Sequence, residues 1–180
     1  MSSTVTSARR RAESRPAGLL PALICFALAG VVLYQQEAIR AGEARLMSAI
    51  FAVALPGGSY AVRDIVFFNL GTGHAYGIQV SPLCSSAVLM APILAISGVL
   101  FLLRRIPVGR LFRAAVLAAA LVVFSNLLRY FMIALAEVSW GQAGFDVVHH
   151  FVGSFLVILA FVLAVLLLVR SGRQTHSRAA

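Results

Sequence analysis

The sequence contains no lysine, only six acidic residues and only two cysteines among its 180 residues. Two cysteines that form no CxxC pair give no disulfide framework, and no group of cysteines and histidines has the spacing of a zinc site. A glycine-rich phosphate loop is also missing. These absences exclude the common classes of metal, redox and nucleotide-binding domain, so we expect neither a cofactor nor a metal.

Long apolar runs dominate the chain instead. Apolar side chains make up 61% of the residues and the mean hydropathy is +0.94, which is too high for an ordinary soluble domain. A helix that crosses the bilayer core of roughly 30 Å needs about 20 apolar residues. Four runs meet this requirement, namely 17–36, 82–103, 111–135 and 147–169. The fold class is therefore an all-α polytopic membrane protein with about four transmembrane helices.

The first apolar run follows Arg9-Arg10-Arg11 and so resembles a signal peptide. Its core is long and no clear small-residue cleavage site follows, so we interpret it as a retained anchor. Residues 1–16 are then a basic cytoplasmic tail, 17–170 a single membrane domain, and 171–180 a second basic tail.

The 15 basic residues are all arginine, and they are distributed unevenly between the spans. Eleven lie before the first span, between the second and third, or after the fourth, whereas Arg40, Arg45 and Arg63 lie between the first and second. Arginine-rich short loops stay in the cytoplasm, so we predict a cytoplasmic (inner or plasma) membrane protein with both termini inside. The net charge of +9 thus indicates orientation in a lipid bilayer and no nucleic-acid partner. The eleven are Arg9, Arg10, Arg11, Arg15, Arg104, Arg105, Arg110, Arg113, Arg170, Arg173 and Arg178.

The segment 37–81 is predicted to lie outside the cytoplasm and to hold two small elements. Its apolar run 46–55 is too short to span and predicts an interfacial or re-entrant helix. Residues 62–70 and 75–80, rich in β-branched and aromatic side chains around Gly71-Thr72-Gly73, predict a small β-hairpin that leads to Cys84. A second external loop is expected over 136–145, with Trp140 at the membrane interface.

Cys84 follows a helix-start signature, with Ser81 at the N-cap and Pro82 at the first helical position. This places the thiol in the first turn, where unpaired amides and the positive end of the helix dipole favour a thiolate. The alternative is a buried cysteine that acts as a small apolar residue, which is our interpretation of Cys25 inside the first span.

Asp146 is interpreted as a similar N-cap for the last span, which places His149 in its first turn. Asp146 also lies four residues before His150 and is expected to fix its tautomer. The two histidines point about 100° apart on a helix, so at most one faces a given partner. The alternative for this pair is a solvated, inert position at the interface.

Arg129 is an ionisable group within an apolar span, where a charge costs roughly 2.5–3.5 kcal/mol on insertion scales. Such residues are functional candidates by default, and Asn126 at i−3 lies on the same face and is expected to orient the guanidinium. A structural ion pair or snorkelling to the interface is the alternative. Nineteen residues separate Arg129 from Arg110, a rise of about 28 Å, which places Arg129 towards the outer surface.

The predicted topology brings Cys84, Arg129 and His149 to one leaflet. A cysteine introduced by a short strand, an Asn-x-x-Arg within a later span and a histidine that opens the final span resemble the exosortase/archaeosortase family. The matching segments are 78–86, 125–130 and 149–153, and the resemblance covers roughly residues 63–169. Many relatives have more spans, and the family often has a glycine two residues after the cysteine, where this chain has Ser86.

The resemblance implies a membrane-embedded cysteine protease or transpeptidase whose site opens outward. Its substrates are expected to be membrane-anchored proteins with a C-terminal sorting helix and a basic tail, destined for the cell surface and passed to water or an unknown acceptor. By this likeness Cys84 is the nucleophile, His149 (alternatively His150) the base and acid, and Arg129 the oxyanion or substrate ligand. Asn126 and Asp146 then support these residues.

Two other function classes fit parts of the sequence. A non-catalytic assembly subunit would use Arg129 and Asn126 to bind a partner helix, with close packing on glycine- and alanine-rich faces. A haem anchor needs histidines on facing helices, but His74 falls in a loop and His176 in the cytoplasmic tail.

Overall fold

The computed structural model describes residues 16–103 and 107–173 of the chain. The predicted basic tails fall almost wholly outside these residues, as do Arg104 and Arg105, on which the orientation partly depends. The described residues form five long helices, a small sheet, two 3₁₀ turns and one π-helical turn. They are α1 Pro16–Tyr34, α2 Gln36–Ala54, α3 Ser86–Leu103, α4 Val108–Val147, α5 Gly153–Arg173, β1 Ser59–Val62, β2 Ile65–Phe68, β3 Tyr76–Gln79, the 3₁₀ turns Leu70–Thr72 and Pro82–Cys84, and the π-helical turn Val148–Val152.

Helix α2 begins ten residues earlier than the predicted interfacial helix 46–55 and meets α1 at an angle of 72°. The first half of α2 is polar, so its apolar runs do not indicate where the helix begins. The helix is nevertheless amphipathic, because its buried residues recur every three or four positions. These are Glu43, Ala44, Met47, Ser48 and Phe51.

The sheet is an antiparallel meander of order β1-β2-β3. The predicted hairpin corresponds to β2 and β3, whereas β1 was not anticipated. Arg63, with a φ of 54°, makes the tight turn between β1 and β2. Arg40 of α2 forms an ion pair with Asp64 in the same turn, with 2.9 Å between Nη1 and Oδ2, and this ties the sheet to the helix.

Helices α4 and α5 form a hairpin that reverses at Gly141. This glycine has a φ of 62° and a ψ of −153°, a conformation open essentially to glycine alone. Arg129 lies beside Gly153, although 24 residues of straight helix would separate them by about 36 Å. The chain reverses within the predicted loop 136–145, but the irregular structure expected there was wrong, because helix continues on both sides of Gly141. The external location of this segment stays a prediction.

Two described segments, Ser86–Leu103 and Val108–Ser171, are long and apolar enough to cross a membrane. A third is present if the bent pair Gly18–Tyr34 and Gln36–Ala54 counts as one span. By length and composition alone, the fold is thus mainly helical with two or three candidate spans and a small sheet, and one of these candidates, Val108–Ser171, folds back on itself at Gly141. The count of four spans and the orientation of the chain stay predictions.

Two separate hydrophobic clusters hold the molecule together. One joins α2 and the sheet to residues 130–136 of α4, with Phe51, Phe68 and Ile133 fully buried. The other joins α1, α3, the first half of α4 and the end of α5, with Leu111 and Leu168 fully buried. On α4, the residues between the two clusters include the buried polar side chains of Ser125, Asn126 and Arg129. A polar layer therefore separates two apolar cores.

Candidate active site

Cys84 ends the 3₁₀ turn Pro82–Cys84, and its N–H donates to the carbonyl of Ser81 at 3.0 Å. Ser85 then becomes extended, with a ψ of 146°, and α3 begins only at Ser86. The prediction that Cys84 lies in the first turn of the membrane helix was therefore wrong by one short turn. Cys84 is partly buried and packs against the cluster formed by α2, the sheet and α4.

The first turn of α3 is capped by two residues that the sequence did not single out. The hydroxyl of Ser85 accepts from the N–H of Ala87 at 3.2 Å, the usual N-cap bond. Oε1 of Glu43 in α2 accepts from the N–H of Ser86 at 2.8 Å. The N-terminus of α3, where the helix dipole was expected to favour the thiolate of Cys84, is therefore occupied by the carboxylate of Glu43.

Helix α4 holds the Cys84 turn through its backbone carbonyl. Nδ2 of Asn126 donates to this oxygen at 2.8 Å and the hydroxyl of Tyr130 donates at 2.6 Å. Asn126 is fully buried and Tyr130 is nearly so. The expectation that Asn126 orients Arg129 was therefore wrong, because its amide is directed at the residue that carries the thiol. Tyr130 was missed by the sequence analysis, although its position four residues after Asn126 places it on the same face.

Arg129 reaches the opposite side of the site. Its Nη2 donates to the backbone carbonyl of His149 at 3.4 Å, and the hydroxyl of Ser154 donates to the same oxygen at 3.1 Å. The side chain is only 7% exposed, and among the described residues it takes part in no ion pair. Its buried Nε has no hydrogen-bond partner within the same part of the chain. The alternative interpretation, in which Arg129 belongs to a structural ion pair, therefore has no support among the described residues.

His149 lies in the π-helical turn Val148–Val152, a local feature that often occurs at functional sites. Its imidazole is partly buried, stacks on Phe145 at 5.1 Å and meets the ring of His150 edge-on at 5.0 Å. His150 is exposed. The interpretation of Asp146 as an N-cap was wrong, since the residue lies within helix, five residues after the reversal at Gly141, and its Oδ1 accepts from Nε2 of Gln142 at 3.1 Å.

One stripe of α4 therefore connects the two sides of the site. Asn126 and Tyr130 fix the carbonyl of Cys84, and Arg129, between them in sequence, donates to the carbonyl of His149. Positions i, i+3 and i+4 share one helix face, which explains how a single turn serves both. The arrangement places a thiol-bearing turn, a guanidinium and an imidazole-bearing turn around one buried polar layer.

Replacing Glu43 with alanine should destabilise the protein by about 1–3 kcal/mol, because the buried N–H of Ser86 loses its acceptor. Glu43→Gln should lose much less, since an amide oxygen can still accept. Thermal unfolding of the purified protein measures both effects, and Glu37→Ala, at an exposed position of the same helix, is the control. Equal unfolding temperatures for Glu43→Ala and Glu37→Ala would show that this bond contributes nothing.

Gly153→Ala should also lower the unfolding temperature. A Cβ at this position would lie 2.7 Å from Cγ of Arg129 and 2.9 Å from the carbonyl oxygen of Val148, so the arginine or the π-helical turn must shift. Overpacking of this kind costs roughly 1–3 kcal/mol. Gly30→Ala in α1 is the matched control, because nothing lies within 4 Å of its added Cβ. A Gly153→Ala protein as stable as the Gly30→Ala protein contradicts the prediction.

Most of the chain matches a known protein family. A family model described as transmembrane exosortase (Exosortase_EpsH) matches residues 49–168, which is two-thirds of the sequence. No match was found among curated proteins, and none among solved structures. The matched range contains Cys84, Asn126, Arg129 and His149, whereas Glu43 precedes it.

Proposed function

This chain belongs to the transmembrane exosortase family, and from that premise we propose that it is a membrane-embedded cysteine protease or transpeptidase. The resemblance predicted from three short motifs is confirmed by the family match. The family is generally one of cysteine peptidases and transpeptidases, and the apolar helices support a membrane location. The proposed activity is the cleavage of C-terminal sorting signals from membrane-anchored proteins destined for the cell surface.

The observation that supports this proposal is that α4 is hydrogen-bonded both to the Cys84 turn and to the His149 turn. Neighbouring side chains of one turn hold the backbones of Cys84 and His149, so two segments far apart in sequence are fixed relative to one another. Catalysis by a thiol and a base depends on such fixed positions, because misplacement of about 1 Å can lower a rate by 10²-fold.

In the proposed first step, the sulfur of Cys84 attacks the carbonyl carbon of the scissile peptide bond. His149 takes the thiol proton and gives it to the leaving amine as the C–N bond breaks. The products are an acyl thioester on Cys84 and the released sorting helix with a free amino end. His149 is preferred to His150 for this role, because it is partly buried and its backbone is bonded to Arg129.

Arg129 is proposed to stabilise the oxyanion that forms during this attack. A guanidinium has five N–H donors, and the only hydrogen bond that Arg129 makes to a described residue goes to the carbonyl of His149. Donors therefore remain for a substrate oxygen. In a buried site such a charge acts across little water, which strengthens its effect on a developing negative charge.

In the second step, water or an amine attacks the thioester carbonyl and the C–S bond breaks. His149 accepts a proton from the attacking group, and the thiol of Cys84 is restored. Water yields a free carboxylate on the sorted protein, whereas an amine acceptor yields a new amide bond. We propose that this reaction takes place at the outer face of the cytoplasmic membrane, where the predicted orientation places the site.

The test is to trap the thioester. Candidate membrane-anchored surface proteins carrying a C-terminal tag are produced with this chain, and their new C-termini are identified by mass with and without hydroxylamine. A thioester enzyme should remove the tag and, with hydroxylamine present, leave a C-terminal hydroxamate. Tag loss with the same C-terminus in both conditions would overturn the thioester. Absence of any chain-dependent tag loss would favour the non-catalytic, partner-binding subunit.

A further inference from the structure

Among residues 16–103 and 107–173, strand β3 has one paired edge and one free edge. Within these residues it pairs only with β2, as the last strand of the sheet order β1-β2-β3. The N–H of Val80 donates to the carbonyl of Asp64 directly opposite, at 2.7 Å. Hydrogen-bonded and non-hydrogen-bonded pairs alternate along an antiparallel ladder. The backbone N–H and C=O groups of Tyr76 and Ile78 therefore point towards β2. Those of Gly77 and Gln79 point to the other side of the strand, away from the sheet.

The four outward backbone groups of Gly77 and Gln79 have no hydrogen-bond partner within the part of the chain that the structure describes. Both residues are exposed. Natural edge strands are usually guarded by charges, prolines or bulges, and the sequence Tyr-Gly-Ile-Gln of β3 contains none of these.

The position of this edge connects it to the candidate active site. Gln79 is five residues before Cys84, and Val80, Ser81 and the 3₁₀ turn Pro82–Cys84 lead directly from the strand to the thiol. The sheet also packs on the hydrophobic cluster against which Cys84 lies. A peptide that extends along β3 is thereby directed towards the nucleophile.

We propose that β3 binds the substrate by strand addition, so that an extended segment preceding the sorting helix pairs with the outward groups of Gly77 and Gln79. This inference rests on the proposed function and identifies how the same site recognises its substrate. Alternating donors and acceptors about 6.6–6.8 Å apart match the backbone of an extended chain and no compact ligand. Main-chain pairing then supplies affinity, and every second substrate residue faces the same side of the sheet.

The first test uses a variant pair at one position. Gly77→Pro removes the outward N–H and places its ring on the free edge, while Gly77→Ala keeps the N–H. With the tagged membrane-anchored protein that the chain processes, Gly77→Pro should raise KM about two- to tenfold relative to Gly77→Ala, the effect of one lost hydrogen bond. Equal KM values for the two variants overturn the proposal.

The second test uses the Cys84→Ala protein with an otherwise unchanged sequence and needs no catalysis. Synthetic peptides covering the segment before the sorting helix of the same tagged protein are prepared, each with one backbone N-methyl group. Strand addition predicts that affinity falls at every second methylated position and is kept at the positions between. It also predicts slower amide hydrogen exchange at Gly77 and Gln79 when the unmethylated peptide binds.

The two tests separate this proposal from the proposed function. An alternating methylation pattern supports strand addition even if Cys84 proves not to be the nucleophile. Methylation that has uniform or no effect, together with unchanged exchange at Gly77 and Gln79, overturns strand addition while Cys84-dependent processing still stands.

Discussion

Replacing Cys84 with alanine is expected to abolish processing of tagged membrane-anchored proteins, a loss on the order of 10⁴-fold or more. The proposed reaction has no covalent intermediate without the thiol. The second cysteine, Cys25, cannot replace it, because it packs against the other hydrophobic cluster, formed by α1, α3, α4 and α5. Insertion and abundance should stay unchanged, because the asparagine and tyrosine bonds reach the backbone carbonyl of residue 84 and not its side chain.

Cys25→Ala is the control for this experiment. It removes the chain's other thiol from a partly buried position in α1, and processing should continue at the wild-type rate. Tag loss is followed by mass on extracted membranes at matched abundance. Processing that survives in the Cys84→Ala protein would refute the nucleophile and direct attention to the partner-binding alternative.

Replacing Arg129 with methionine should lower processing on the order of 10²- to 10³-fold, the usual effect of removing one oxyanion ligand. The protein should still fold, because a buried charge without an ion-pair partner among the described residues is costly and the carbonyl of His149 keeps its bond from Ser154. Arg129→Lys should restore little activity, since an ammonium does not reproduce the planar fork of donors. The loss should appear in kcat more than in KM if the contact forms in the transition state.

The comparison of Arg129→Met with Cys84→Ala also distinguishes the two function classes. A peptidase loses activity in both variants, whereas a subunit that only binds a partner helix loses its function in Arg129→Met alone. Gly30→Ala, at an unobstructed position of α1, controls for general effects of substitution within an apolar helix. An Arg129→Met protein that processes at the wild-type rate would remove the arginine from the mechanism.

The membrane class and the approach to Cys84 could be predicted because they depend on local patterns. Long apolar runs form few structures other than membrane or core helices. The β-branched residues of 75–80 favour a strand irrespective of what packs against them. The three site motifs also stand out, since an arginine or a histidine is conspicuous in an apolar segment. Their order along the chain was enough to indicate the family.

The contacts between those motifs could not be predicted, because they depend on how distant helices pack. Asn126 and Arg129 share a face, and pattern alone does not tell which partner each side chain finds. The amide bonds to Cys84 only because α3 begins late, after Ser85 becomes extended. The contribution of Glu43 was hidden in a polar stretch, although the spacing of Ala44, Met47 and Phe51 is a helical signal that a periodicity search would find.

The single-residue reversal at Gly141 has a consequence for how the length of this chain can vary. Arg129 and Gly153 are each twelve residues from the reversal. Contacts between the two arms of the hairpin therefore depend on the number of residues on each side of Gly141. One residue inserted in either arm would rotate what lies beyond it by about 100° and slide it by about 1.5 Å, which separates the guanidinium from the carbonyl of His149. Insertions between residues 129 and 149 should therefore be excluded.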